Sequence, residues 1–122
     1  MICPYCDREA PWVENKELYR KNYGKSYMCY YCKLCDAYVG CHNNTREPLG
    51  TMANRELRAL RIQAHHYLDM HWNFGSDRRN RRTNVYSEMA SYFGFDVHVG
   101  SADIELCNKI IEYAKSLARG AY

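Results

Sequence analysis

Two stretches of the chain repeat apolar residues at helical spacing, and a third does not. From residue 51 to about Met70, Leu57, Leu60, Ala64, Tyr67 and Leu68 fall on one face of an amphipathic helix. Thr51 offers a hydroxyl for its N-cap. Near the C-terminus, Ile104, Cys107, Ile111, Ala114 and Ala118 form a second stripe, with Ser101 placed to cap it. Asp103 and Glu105 near its start, and Lys115 and Arg119 near its end, suit the helix dipole. Between the two, Val85 to Phe93 predicts a shorter helix stopped by Gly94. The preceding "NFGSDRRNRRTN", Asn73 to Asn84, is polar throughout and predicts a loop. Residues 1 to about 41 carry no helical period. There, Glu17 to Lys21 and Ser26 to Tyr31 predict two short strands turning at Asn22-Tyr23-Gly24-Lys25. Residues 42–50, with Asn43, Asn44, Pro48 and Gly50, predict a linker. The expectation is an α+β protein in which a small N-terminal β-hairpin module, residues 1–42, packs on a three-helix part, residues 43–122.

Composition narrows the class. With 122 residues, 47% hydrophobic and 25% charged, the chain suits one compact domain or a small module joined to a helical one. No apolar run approaches the ~20 residues that span a bilayer, so no membrane partner is expected. Met1-Ile2-Cys3-Pro4 does not read as a signal peptide, and a reducing cytosol is the expected setting. In that setting seven cysteines, an odd number, point to metal ligands and buried thiols rather than to a disulfide framework. A net charge of +3 does not by itself imply a polyanionic partner.

The cysteines carry the clearest chemistry. Cys3-Pro4-Tyr5-Cys6 has the two-residue gap that lets two thiolates from one tight turn meet a tetrahedral zinc. Further on, Cys29/Cys32 and Cys32/Cys35 offer the same gap. Two features favour the later pair. Cys6 and Cys35 are each followed by an aspartate, Asp7 and Asp36, and aspartate tolerates the left-handed backbone on which such a knuckle exits. Cys29, inside the expected strand, shares a face with Tyr27 and Tyr31, opposite Cys32. The ligand set is therefore Cys3, Cys6, Cys32 and Cys35, a zinc ribbon with 25 residues between its pairs. Cys29 is the rival, since with Cys35 it could bracket a looser knuckle. Four cysteines close the coordination sphere, so one structural Zn²⁺ is expected. Cys41, beside His42, reads as a buried thiol, and Cys107 as helix core.

"CPYC", "CKLCDAYVGCH", "PLGTMANRELRALRIQAH", "VYSEMASYFG" and "VHVGSADIELCNKII" together resemble a family of zinc-finger-containing domains of unknown function found in phages and prophages. The likeness runs from Cys3 to about Ile111. It implies a phage-encoded protein in a bacterial host cytoplasm and supplies no activity. Cys29 departs from the simplest form of the pattern.

Three further groups bear on function. Arg58, Arg61, His65, Asp69 and Trp72 share the polar face of the first long helix, where arginines could meet phosphates and Trp72 could stack on a base, or where the face is simply solvated. Arg78, Arg79, Arg81 and Arg82 put four of seventeen basic residues into five positions, a solvated loop unless a polyanion binds it. Tyr19, Tyr23, Tyr27 and Tyr31 alternate with Lys16, Arg20, Lys21 and Lys25, which suits single-stranded nucleic acid or the cladding of a small core. The leading expectation is a nucleic-acid-binding accessory protein, of DNA or RNA, with Arg58, Arg61, Trp72, Arg78, Arg79, Arg81 and Arg82 as contacts. The alternatives are an effector that binds a host protein, and a small nuclease using His65, Asp69 and His98. No second acidic pair, H-E-x-x-H or nucleophile motif supports the last.

Overall fold

The computed structural model describes residues 1–21 and 27–120, the last three by backbone alone. The chain divides into two compact units, Met1–Arg58 and Ala59–Tyr122, so the division falls after Arg58 rather than after residue 42. The fold is α+β, as the apolar pattern predicts.

The first unit holds a three-stranded antiparallel sheet in the order β1 (Trp12–Glu14), β2 (Met28–Cys32), β3 (Ala37–Gly40). The expected strand at Glu17–Lys21 is not there. Lys16–Tyr19 instead forms one helical turn, α1, closed by Arg20 in the left-handed region (φ 70°). Glu17 and Leu18 are good helix formers, whereas Trp12 and Val13 have the ring and the β-branch that suit a strand. The expected turn at residues 22–25 lies outside the described residues. Strand β2 forms largely where expected and pairs on both sides: Val13 and Gly40 both face Cys29, and Cys32 faces Ala37. The β2–β3 hairpin therefore turns through Lys33–Asp36, and this turn carries the second cysteine pair.

The segment after β3 is not a free linker. His42 N–H donates to the Glu47 carbonyl at 2.9 Å, and Tyr38 and Ala53 exchange backbone hydrogen bonds at 3.1 and 3.2 Å. That second bridge explains why α2 (Arg55–Asp69) starts later than expected. Thr51 lies before the bridge, and only Asn54, just beyond it, can cap: its Oδ1 accepts from the Leu57 N–H at 3.1 Å. The core of this unit is small, built on Cys3, Ala10, Cys32, Ala37, Val39 and Met52.

The second unit is helical, with the rest of α2, α3 (Arg78–Phe93), a single 3-10 turn at Val99–Ser101, and α4 (Ile104–Gly120). Leu68, Met89 and Ile110 are fully buried. Gly94 ends α3 as predicted, at φ 83°, its N–H reaching the Ala90 carbonyl at 2.8 Å. Two expectations are corrected. The polar stretch is helical from Arg78 onward, so the four arginines stand on the first turns of a helix rather than in a loop. Ser101 ends the 3-10 turn, and Asp103 caps α4, its Oδ1 accepting from the Leu106 N–H at 2.8 Å. Among the described residues no helix is long and apolar enough to cross a membrane.

Candidate metal centre and the arginine-rich helix start

The two knuckles are built alike. In the first, the Asp7 N–H donates to the Cys3 carbonyl at 2.9 Å; in the second, the Asp36 N–H turns back to the Lys33 carbonyl. Asp7 and Asp36 both leave in the left-handed region, at φ 60° and 51°. An aspartate tolerates this conformation better than most residues, so the residue after each pair fixes where the turn closes. Side chains brace the knuckles from outside. Arg58 donates through Nη1 to the Asp36 carbonyl and through Nη2 to Asp36 Oδ2 at 3.2 Å, while its guanidinium lies 4.2 Å from the Tyr38 ring centre. The Asn54 N–H donates to the Tyr5 hydroxyl at 3.1 Å.

The outcome is a group of four sulfurs, from Cys3, Cys6, Cys32 and Cys35, all within 4.8 Å of one another. Cys6 Sγ and Cys32 Sγ are 3.7 Å apart. A regular tetrahedron with Zn–S bonds of about 2.3 Å has edges of about 3.8 Å, so this spacing fits a shared zinc and is far too long for a disulfide. The electrostatics fit too. Burial pushes the Cys35 thiol up to about 12, helped by its hydrogen bonds with the neighbouring cysteines, and burial also raises Cys3. Cys32 is held low, first by the Cys35 backbone N–H that donates to it. Four thiolates this close repel one another unless a cation stands among them, and a dication with a preference for sulfur meets that need.

The sequence pattern of a family described as a zinc-finger-containing domain matches residues 1–117. The chain belongs to that family. No curated protein and no solved structure matches the chain.

Within this zinc-finger-containing domain, Cys29 is not a member of the group. It is buried in β2, 2% exposed, and burial followed by the charge of Cys41 pushes its thiol up to about 11. Cys41 is likewise buried, and Cys107 lies in the helical core. Among the described residues the four-cysteine group is the one set of His, Cys, Asp and Glu donors close enough to hold a metal; His65, Asp69 and His98 form no such set.

The arginines divide into two kinds. Arg58 serves the second knuckle, as above, and Arg61 directs Nε and Nη2 onto the Ala102 carbonyl at 3.1 and 2.9 Å. Both point donors at backbone. The others gather at the start of α3. Arg78 Nε donates to the Gly75 carbonyl at 3.0 Å and Arg81 Nε to the Trp72 carbonyl at 3.2 Å. Arg81 lies over Phe74, 4.3 Å from the ring centre, and Arg82 lies 4.6 Å from Tyr86 and 5.6 Å from Trp72. Arg79 is exposed on the same turns. Trp72 and the four arginines thus share one corner with two further rings, Phe74 and Tyr86, that sequence reasoning left out. Their spacing carried a signal, because Phe74 and Tyr86 flank the basic run on either side.

Of the tyrosines, Tyr19 donates its hydroxyl to Tyr38 at 3.1 Å, and Tyr31 packs edge-on against Tyr38. These two clad the sheet. Tyr23 and Lys25 lie outside the described residues.

Proposed function

We propose that this protein binds nucleic acid through the corner formed by Trp72, Phe74 and the first turns of α3, with one structural zinc holding the N-terminal unit in shape. The observation that carries the reading is a sign mismatch. The N-terminus of a helix carries about half a positive charge, and cations there are unfavourable by about 0.3–1 kcal/mol each. Yet Arg78, Arg79, Arg81 and Arg82 stand on the first turns of a 16-residue helix whose first turn holds no acid. Asp77, just before it, is engaged by the Asn80 amide at 2.7 Å. Phosphate reverses the sign of every one of these interactions. The rings beside the arginines add surfaces on which bases can stack, and Phe74 is 53% exposed. In the setting that the resemblance implies, a phage protein in a bacterial cytoplasm, DNA and RNA are both at hand.

Fluorescence anisotropy with labelled single- and double-stranded oligonucleotides across a salt series tests this. Binding should weaken steeply with salt, with a slope set by the number of phosphates contacted. Absence of salt-sensitive binding to any oligonucleotide at low ionic strength would overturn it. An acidic host protein captured through the same arginines, and retained after nuclease treatment, would replace it with the effector reading.

A further inference from the structure

The N-terminal unit contains a second feature that neither the metal site nor the arginine corner uses. A cavity of about 430 Å³ opens between the start of the sheet and the loop after β3. This lies within the ~300–1,000 Å³ of small-ligand sites. Trp12, Tyr27 and Met28 supply its apolar walls, and Glu14, Asn44 and Arg46 its polar ones. The loop that carries Arg46 is held in shape. Thr45 Oγ1 donates to the His42 carbonyl at 3.0 Å and accepts from the Glu47 N–H at 3.2 Å, and Asn44 takes the left-handed conformation at φ 58°. The Tyr30 hydroxyl donates to the Arg46 carbonyl at 2.7 Å, which ties the loop to β2. The Arg46 guanidinium then sits 4.5 Å from the centre of the Trp12 ring. The Trp12 Nε1 donor is buried and has no acceptor among the described residues.

Chemistry selects among ligands. A quaternary ammonium or methylated lysine would need the indole face, but Arg46 already places a cation there. A free anion would meet the Glu14 carboxylate. A lipid chain would leave the amide and the carboxylate without partners. A flat, uncharged ring with donors and acceptors on its edge satisfies all the walls: it can stack on the aromatic and guanidinium surfaces, and its edge can pair with Asn44 and Glu14. On a polymer whose charge lies elsewhere, that ring is a nucleobase. We propose that the Trp12–Arg46 cavity takes one unpaired base of a single-stranded nucleic acid. This rests on the reading that nucleic acid is the ligand and deepens it, since a duplex offers no free base.

The chain has two tryptophans, so Trp72→Phe leaves Trp12 as the only indole. In the zinc-loaded Trp72→Phe protein, single-stranded DNA and RNA oligonucleotides should quench indole emission to saturation, and a matched duplex should not. The DNA and RNA arms show which sugar is accepted. Adding Arg46→Ala, which keeps the carbonyl that Tyr30 uses, should weaken the quench on the order of ten- to a hundred-fold. Arg46→Lys keeps the charge without the flat face and should lose nearly as much. Zinc content and melting temperature should be unchanged in both. Oligonucleotide binding seen by anisotropy, with no change in Trp12 emission, would overturn the cavity and leave the proposed function standing. If no oligonucleotide binds, free nucleosides at millimolar concentration test the cavity alone: quenching that Arg46→Ala removes keeps it, and its absence ends it.

Discussion

The two units solve the same problem by different means. The helical unit covers three long elements with buried Leu68, Met89 and Ile110, side chains large enough to fill a core by themselves. The N-terminal unit has strands of three to five residues, and its core consists mainly of cysteine, alanine, one valine and one methionine. Such a small apolar core does little against chain entropy, and small domains of this kind are completed by metals or disulfides. Two of its core residues, Cys3 and Cys32, are also members of the four-sulfur group, so metal ligation and core formation are one event there. In the helical unit the side chains that make the fold and those offered to a ligand are different residues.

Metal removal should split the units most sharply. Structural zinc contributes on the order of 10 kcal/mol or more in modules of this size. Chelation, or Cys3→Ser, Cys6→Ser, Cys32→Ser or Cys35→Ser, should release one zinc per chain and abolish amide-exchange protection in Met1–Arg58. Protection around Leu68, Met89 and Ile110 should persist. A single cooperative loss of protection over the whole chain would show that the two units are not separate in stability.

The reverse experiment has a smaller effect. Leu68 is fully buried, and Leu68→Ala should destabilise the helical unit by about 2–5 kcal/mol. Thermal unfolding should show it as a lowered helical transition, with zinc stoichiometry unchanged by metal analysis.

These two experiments rest on features that differ in how far the sequence revealed them. The ligand group was legible because chelation is local: a two-residue gap and a following aspartate specify a knuckle almost unaided, and Asp7 and Asp36 adopt the conformation that argument requires. The Leu57–Ala64–Leu68 stripe and the Gly94 stop were legible for the same reason, since helix period and a left-handed terminus depend on near neighbours. Strand β1 was not. Three residues have no period to detect, and Trp12–Glu14 is a strand because β2 is beside it. The caps moved from Thr51 to Asn54 and from Ser101 to Asp103 because bridging to Tyr38 in one case and a 3-10 turn in the other occupy the earlier residues. The start of α3 was hidden by charge. Arginine is a good helix former, but four in five positions suggest repulsion, and the contacts of Arg81 and Arg82 with Trp72, Phe74 and Tyr86 outweigh it. The inward roles of Arg58 and Arg61 depend on carbonyls of Asp36 and Ala102, which no helical wheel displays.

Cys29 sharpens the contrast within the N-terminal unit, because it is a buried cysteine that the metal does not need. Its thiol ionises near 11 when folded, against an ordinary value of 9.0. Since the folded value is the higher one, the unfolded chain loses this proton first. The contribution is fully present below pH 9 and is lost as pH rises towards 11. Wild-type stability should therefore fall over that window, and Cys29→Ala should show a shallower fall while retaining zinc. Loss of zinc in Cys29→Ala would make Cys29 a ligand and displace one of the four.

The arginines give the smallest effect on stability and the largest contrast in function. Arg61→Ala removes two hydrogen bonds to the Ala102 carbonyl and should cost about 1–3 kcal/mol while leaving the salt slope of oligonucleotide binding unchanged. Replacing all four arginines of α3 would confuse the two roles, because Arg81 holds the Trp72 carbonyl and one of its guanidinium nitrogens is buried. Arg78→Ala with Arg79→Ala avoids this, since both side chains are exposed. Unfolding free energy should change by less than about 0.5 kcal/mol, as for most surface substitutions, or rise slightly as two cations leave a positive helix end. The slope of log affinity against log salt should flatten by about 1.8 on duplex DNA and about 1.4 on a single strand, the counterions of two phosphates. An unchanged slope in this double variant, together with a flattened one in Arg61→Ala, would move the phosphate contacts from α3 to α2.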